Sequence, residues 1–233
     1  MIELLNIDNI EYMKSCPDNF FDLAIVDPQT GQDEGKKHAS RSLTVKQSNG
    51  NNLSMSKREY KVSEWDNAPP PQEYFDQLFR VSKFQIIMCE NYLNFDQKKS
   101  SAGRIIWNLL RENDFSACQI MWTSLTNKIE YFEYMWSGMM QGEKINSRVQ
   151  IGDKSKNEKR IHPSQKPIKV YNYLLHKYAT PAMKILDTHS GSASLAIAAH
   201  YFGCDFVGTE LDKDIFDSSM KRYKLQTKQI SLL

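Results

Sequence analysis

Paired cysteines are missing from this sequence. Its four cysteines, Cys16, Cys89, Cys118 and Cys204, are widely scattered and form no Cys-x-x-Cys pair. That argues against a zinc site or a disulfide framework, and it leaves buried free thiols as the expectation. No metal ligand set is expected. Also missing are an apolar run of membrane-spanning length and a basic region ahead of a hydrophobic one at the start, Met-Ile-Glu-Leu-Leu. The expected setting is therefore the cytosol, with no membrane partner. Internal repeats and low-complexity tracts are absent. The net charge is only +2, which selects no class of partner. Hydrophobic residues make up 40% and charged residues 25% of the 233 positions, enough for a core and a soluble surface. The length suits one domain with insertions, or one domain with a small satellite.

The chain is organised around residues 183–211, MKILDTHSGSASLAIAAHYFGCDFVGTEL. Lys184 begins a short apolar strand that ends on Asp187. A small-residue turn follows, Ser190-Gly191-Ser192-Ala193-Ser194, and then a helix over 195–202 that Gly203 stops. A second strand spans 205–209 and Glu210 closes it. Strand, small-residue turn, helix, strand and terminal acid outline a nucleotide-binding βαβ unit. Residues without bulk let the backbone approach a ligand. An acid about 20 residues beyond the turn can accept both hydroxyls of a ribose. The glycine pattern is thinned to Gly-x-Ala-x-x-Ala, which a tight turn in any α/β protein also explains. No Lys or Arg replaces Glu210, so nothing here points to a phosphorylated ribose.

Taken in order, the chain predicts a strand over 2–7, a helix over 8–15 and a turn at Cys16-Pro17-Asp18-Asn19. An apolar strand over 21–26 then ends at Asp27-Pro28-Gln29-Thr30. An acid at the carboxyl end of a parallel strand lies where open α/β sheets place ligands, although an Asp-Pro turn that merely ends a strand looks the same. From 31 to 67 hydrophobic periodicity disappears. Between Lys36 and Lys61, the seven basic residues Lys36, Lys37, Arg41, Lys46, Lys57, Arg58 and Lys61 stand against one acid, Glu59. Such a loop suits a polyanion by counterion release, and equally suits a solvated segment with no partner. A helix is predicted over 72–81 and strands over 85–89, 104–108, 118–124 and 129–136. A second basic segment, 141–160, includes Lys144, Arg148, Lys154, Lys156, Lys159 and Arg160. It leads into His162-Pro163-Ser164-Gln165-Lys166-Pro167, an amphipathic helix over 168–178, and a last helix over 213–227 capped by Asp212.

Together these pieces are more specific than any one of them. Asp27-Pro28 after an early strand, the His-Pro-Ser-Gln-Lys-Pro run, then Leu186-Asp187 with Ser190-Gly191 and a strand-terminal Glu210 resemble the DNA amino-methyltransferases. That family transfers a methyl group from S-adenosyl-L-methionine to adenine N6 or cytosine N4. The motif order, catalytic tetrapeptide first and cofactor motif last, is similar to the permuted beta class. The resemblance runs from residue 2 to about 223. It implies a Rossmann-like α/β methyltransferase fold, with a mostly parallel sheet and helices on both faces, in one domain over 1–233. The loop at 31–67 and a target-recognition region within 101–160 would face DNA.

Carried over by position, the resemblance gives Asp187, Ser190, Gly191 and Ser192 to the cofactor loop and Glu210 to the ribose hydroxyls. Ser164, Gln165, Lys166 and Pro167 would complete the methionine end. Asp27 and Pro28 would accept the target amine's hydrogens, with Gln29 and Thr30 completing the tetrapeptide. DNA contacts would come from Lys36, Lys37, Arg41, Lys57, Arg58, Lys61 and Arg148. The Asp at the head of the tetrapeptide favours adenine N6 over cytosine N4. Gln29 and Thr30 stand where the family carries a second proline and an aromatic ring, so turnover is expected to be impaired while cofactor binding survives. Two rival readings are a methyltransferase-like protein that binds DNA or cofactor without turnover, in a homodimer or beside an active partner, and a nicotinamide-dependent oxidoreductase. The late βαβ unit and the His-Pro-Ser-Gln-Lys-Pro run argue against the second.

Overall fold

Alternating apolar residues along the central strands leave two faces to cover, and helices cover both. The computed structural model describes residues 1–32, 44–46, 52–54, 67–110, 116–137, 140–142, 145–146, 149–150, 157–162 and 164–228. The strands of the main sheet are β1 (Ile2–Leu5), β2 (Phe21–Val26), β5 (Ser82–Ile87), β6 (Arg104–Asn108), β7 (Cys118–Thr123), β8 (Ile129–Glu133), β13 (Lys184–Asp187) and β14 (Asp205–Thr209). Their order is β1-β14-β13-β2-β5-β7-β6-β8. The run from β1 to β5 is parallel throughout, β7 is antiparallel to both its neighbours, and β8 is parallel to β6. Among the described residues, three two-stranded ribbons stand outside it: β3 (Thr44–Lys46) with β4 (Asn52–Ser54), β9 (Met135–Ser137) with β10 (Met140–Gly142), and β11 (Ile145–Asn146) with β12 (Val149–Gln150).

On one face, Ala24, Val26, Leu186 and Val207 pack against α1 (Asn9–Ser15) and α2 (Gln72–Val81), whose Tyr74, Phe75, Leu78 and Val81 are buried. On the other, Leu23, Ile25, Ile185 and Phe206 pack against α3 (Ile168–Tyr178) and α4 (Ser194–Phe202). The period-2 pattern of the strands thus splits one core into two. Helix α5 (Lys213–Gln226) is the last described element, and the Asp212 carboxylate accepts its Asp214 and Ile215 N–H groups. Among the described residues no helix is long and apolar enough to cross a membrane.

Several expected boundaries shift. The strand expected over 85–89 begins at Ser82 and stops at Ile87, because Cys89 takes a left-handed conformation (φ 55°) that turns the chain out of the sheet. The strand expected over 129–136 is broken at Tyr134 into β8 and β9. The 31–67 stretch, expected without regular structure, contains the β3–β4 ribbon. Pro167 caps α3 from outside the helix.

Candidate active site

The carboxyl ends of the parallel strands carry acids. Asp8 follows β1, Asp27 follows β2, Asp187 ends β13 and Glu210 follows β14. From the middle of the sheet, β13 leads outward to β14 on one side and β2 leads outward to β5 on the other. Open α/β sheets bind ligands at such a switch point, because diverging connections leave a crevice beyond the strand ends. A cavity of about 530 Å³ opens here, within the usual size of small-molecule sites.

The loop after β13 shapes one wall. Gly191 (φ 48°) and Ala193 (φ 60°) are both left-handed, which suits residues with little or no side chain. Ser190 N–H donates to the Thr209 carbonyl (2.9 Å), fastening the loop to β14. A Cβ on Gly208 would lie 2.2 Å from Ser190 Oγ, so the loop seats against β14 only because residue 208 is glycine. Ser190 lines the cavity, and its Oγ, packed against Gly208, is buried without a hydrogen-bond partner among the described residues. Glu210 accepts the Gly191 N–H on Oε2 (3.0 Å) and the Asp212 N–H on Oε1 (2.9 Å). Each carboxylate oxygen has a second lone pair to offer a ligand.

Behind the loop, burial pushes the Asp187 carboxyl up to about 8. The neighbouring Asp27 and Glu210 carboxylates reinforce that shift, while the His189 N–H donated to Asp187 Oδ1 (3.0 Å) opposes it. Burial also pushes Glu210 above the ordinary carboxylate range. His189 is pushed down to about 4 by burial and is neutral at pH 7. Its Nε2 lies 3.1 Å from Asn9 Nδ2, its Nδ1 2.9 Å from Thr188 Oγ1, and Thr188 Oγ1 2.6 Å from the Tyr74 hydroxyl. With the Asn9 amide donating to Nε2, Nδ1 carries the proton. The Thr188-His189 pair is thus satisfied by α1 and α2.

Opposite this loop, Asp27 Oδ2 accepts from Lys166 Nζ at 2.6 Å, and the Cys89 thiol points at Oδ1 from 3.8 Å. The strap carrying Lys166 is pinned by its neighbours. Gln165 Oε1 accepts the Ile161 N–H (2.9 Å), the Trp136 indole donates to the Gln165 carbonyl (2.9 Å), and Ser194 Oγ donates to the Lys166 carbonyl (2.7 Å). Arg222 of α5 ties strap and loop together, reaching the Ser192 carbonyl (2.6 Å), Ser194 Oγ (2.9 Å) and Glu158 Oε2 (3.0 Å). Tyr171 of α3 also lines the cavity. Burial and the Asp27 and Asp187 carboxylates hold its hydroxyl well above the usual range, so it is a neutral donor.

Of the residues expected from sequence, the cavity brings together Asp27, Gln29, Ser164, Gln165, Lys166, Ser190, Gly191, Ser192 and Glu210. Pro28, Thr30, Pro167 and Asp187 are not among its lining residues. Lys36, Lys37, Arg41, Lys57, Arg58, Lys61 and Arg148 lie outside the described residues. Sequence reasoning missed Asp8 and Asn9, which line the cavity from the end of β1. Their signal was the one used for Asp27, an acid just past an apolar strand. It also missed Tyr74 and Tyr171, which read only as core positions of amphipathic helices.

A family model described as DNA methylase, covering the N6 and N4 methylases, matches residues 10–221. The chain belongs to this DNA methylase family. Among solved structures, the methylase chain is similar to PvuII DNA methyltransferase (cytosine-N4-specific), at 11% identity and TM-score 0.57 over 98% of this chain and 87% of that one. It is similar to TTHA0409 of Thermus thermophilus, at 13% identity and TM-score 0.53 over 98% and 97%. It is also similar to M1.HpyAVI in a SAM complex, at 15% identity and TM-score 0.51 over 95% and 98%. At these identities the likeness is one of fold. No curated protein matches the chain.

Proposed function

We propose that this methylase-family chain transfers a methyl group from S-adenosyl-L-methionine to an exocyclic amine of DNA, adenine N6 ahead of cytosine N4, in the cytosol. The observation that carries this reading is the single cavity shared by Asp27, the Ser190–Ser192 loop and Glu210. The wall fits the cofactor. Each Glu210 oxygen keeps a lone pair for a ribose hydroxyl, and Asp8, Asp27, Glu210 and Asp212 complement a cationic ligand. S-adenosyl-L-methionine, when bound, supplies a methyl group already activated by its sulfonium.

The chain's own residues supply alignment and electrostatics. An exocyclic amine is a weak nucleophile because its lone pair is delocalised into the ring. The Asp27 carboxylate and the Pro28 carbonyl accept its two hydrogens, localise that pair and stabilise the positive charge developing on nitrogen. The base must leave the duplex to reach them. The preference for adenine rests on the Asp that heads the tetrapeptide. Gln29 and Thr30 leave the amine without the second proline and the stacking ring of the family pattern, so turnover is slow.

One observation favours a second reading, a non-catalytic binder beside an active partner or a second copy of itself: Asp27 Oδ2 is already engaged by Lys166. Tritiated-methyl incorporation into unmethylated DNA separates the two. The proposal expects slow incorporation that Asp27→Ala abolishes; incorporation unaffected by Asp27→Ala removes Asp27 from its role.

A further inference from the structure

Asp27 is asked to accept a hydrogen from the target amine, yet its carboxylate is held by a cation. The Lys166–Asp27 pair is 2.6 Å long and nearly out of solvent, with side chains 9% and 17% exposed. An ammonium in that position opposes the chemistry, because the attacking amine gains positive charge beside it. Something must draw Lys166 away or share it. The cavity wall limits what that can be. Its described lining carries the acids Asp8, Asp27, Glu210 and Asp212, and Lys166 is the one Lys or Arg among them. A ligand that brings its own carboxylate into this cavity therefore meets one cationic side chain, and it is the one on Asp27.

We propose that Lys166 is a shared counter-ion, which holds Asp27 before cofactor binds and passes to the cofactor's α-carboxylate, freeing Asp27 to take the target amine. This rests on the cofactor reading above. The strap makes the exchange a side-chain movement only, since the Lys166 carbonyl is fixed by Ser194 Oγ at 2.7 Å and its neighbour Gln165 by Ile161 and Trp136. A lysine suits this exchange because it offers a compact charge with three donors on a flexible four-carbon stem. Cys89 Sγ, 3.8 Å from Oδ1, remains as a weak donor that an amine can displace. Lys166 is thus a positioning residue. It acts on the reaction through Asp27 and imposes an order, cofactor before base.

Competition for one cation is reciprocal, so removing the charge of Asp27 must strengthen the carboxylate ligand. The test is calorimetric and needs no turnover. S-adenosylhomocysteine is compared with its decarboxylated analogue, which keeps the adenosine, thioether and ammonium. The wild type is expected to prefer S-adenosylhomocysteine, and the isosteric Asp27→Asn variant to raise that preference by about 5-fold or more. Lys166→Gln should abolish the preference, and adding Asp27→Asn to it should restore nothing. An Asp27→Asn preference equal to or below that of the wild type overturns the proposal, as does a preference that survives Lys166→Gln. If Lys166→Gln fails to fold, the Asp27→Asn comparison decides alone. Wild type that binds neither ligand overturns the cofactor reading itself, a result distinct from the failure of the exchange.

Discussion

Replacing Glu210 probes the cofactor reading where its geometry is best defined. Its carboxylate is held by two backbone N–H groups, from Gly191 at 3.0 Å and Asp212 at 2.9 Å, so the group is oriented before any ligand arrives. Hydrogen bonds to a charged acceptor contribute about 1.5–3 kcal/mol each. Two ribose hydroxyls would therefore draw about 3–6 kcal/mol from Glu210, and Glu210→Ala should weaken S-adenosylhomocysteine by about 150- to 20,000-fold. Glu210→Gln keeps one acceptor oxygen and loses the charge, and it turns an amide donor toward one of the two N–H groups. It should fall between wild type and alanine. Calorimetry with the 2′-deoxy analogue supplies the control: the analogue should bind wild type about 10-fold or more weaker than the parent, and the two ligands should converge in Glu210→Ala. A Glu210→Ala affinity within about twofold of wild type removes Glu210 from the ribose role, because the loss of two hydrogen bonds to a carboxylate costs far more than that.

Restoring the family tetrapeptide with Gln29→Pro and Thr30→Tyr should raise the methyl-transfer rate by about 5- to 150-fold, the worth of a base–aromatic stack, measured under single turnover. An unchanged rate assigns the stack to another ring. Neutralising Lys57, Arg58 and Lys61 together should weaken DNA binding and flatten the plot of log affinity against log salt by about 0.9 for each phosphate no longer neutralised; an unchanged slope leaves that loop without a phosphate role. Asp187, pushed up to about 8 from an ordinary 3.8, keeps its proton in the folded state while the unfolded chain has released it. Stability therefore falls as pH rises between those values and levels off above about 8. In thermal melts Asp187→Asn should gain on wild type across that window by about 5 °C or more, and a constant gap between the two would contradict the burial argument.

The parts of this molecule governed by local rules were legible in the sequence. The helices Gln72–Val81 and Ile168–Tyr178 have the bounds their apolar spacing predicts, and β2 ends where Asp27-Pro28 follows. The strand-terminal acids Asp27 and Glu210 were readable because the carboxyl edge of a parallel sheet is a property of topology rather than of detailed packing. What was hidden depends on distance in space. Lys166 meets Asp27 across 139 positions, and no periodicity marks either as the other's partner. Gly208 reads as a dull strand residue until Ser190 Oγ is seen to occupy the space of its missing Cβ. The antiparallel β7 and the break at Tyr134 follow from how the edge of the sheet closes. Local propensity says nothing about that.

Methyl transfer to an amino group of DNA is the chemistry proposed for this site. Its most direct test is mass spectrometry of nucleosides from unmethylated DNA incubated at length with stoichiometric protein and methyl-labelled S-adenosyl-L-methionine. Wild type and the Gln29→Pro/Thr30→Tyr variant are run side by side. Labelled N6-methyladenine is expected, sparse with wild type, more abundant with the variant, and absent once Asp27 is replaced by Ala. No labelled base from wild type or the restored variant, while both bind S-adenosylhomocysteine and DNA, would contradict it.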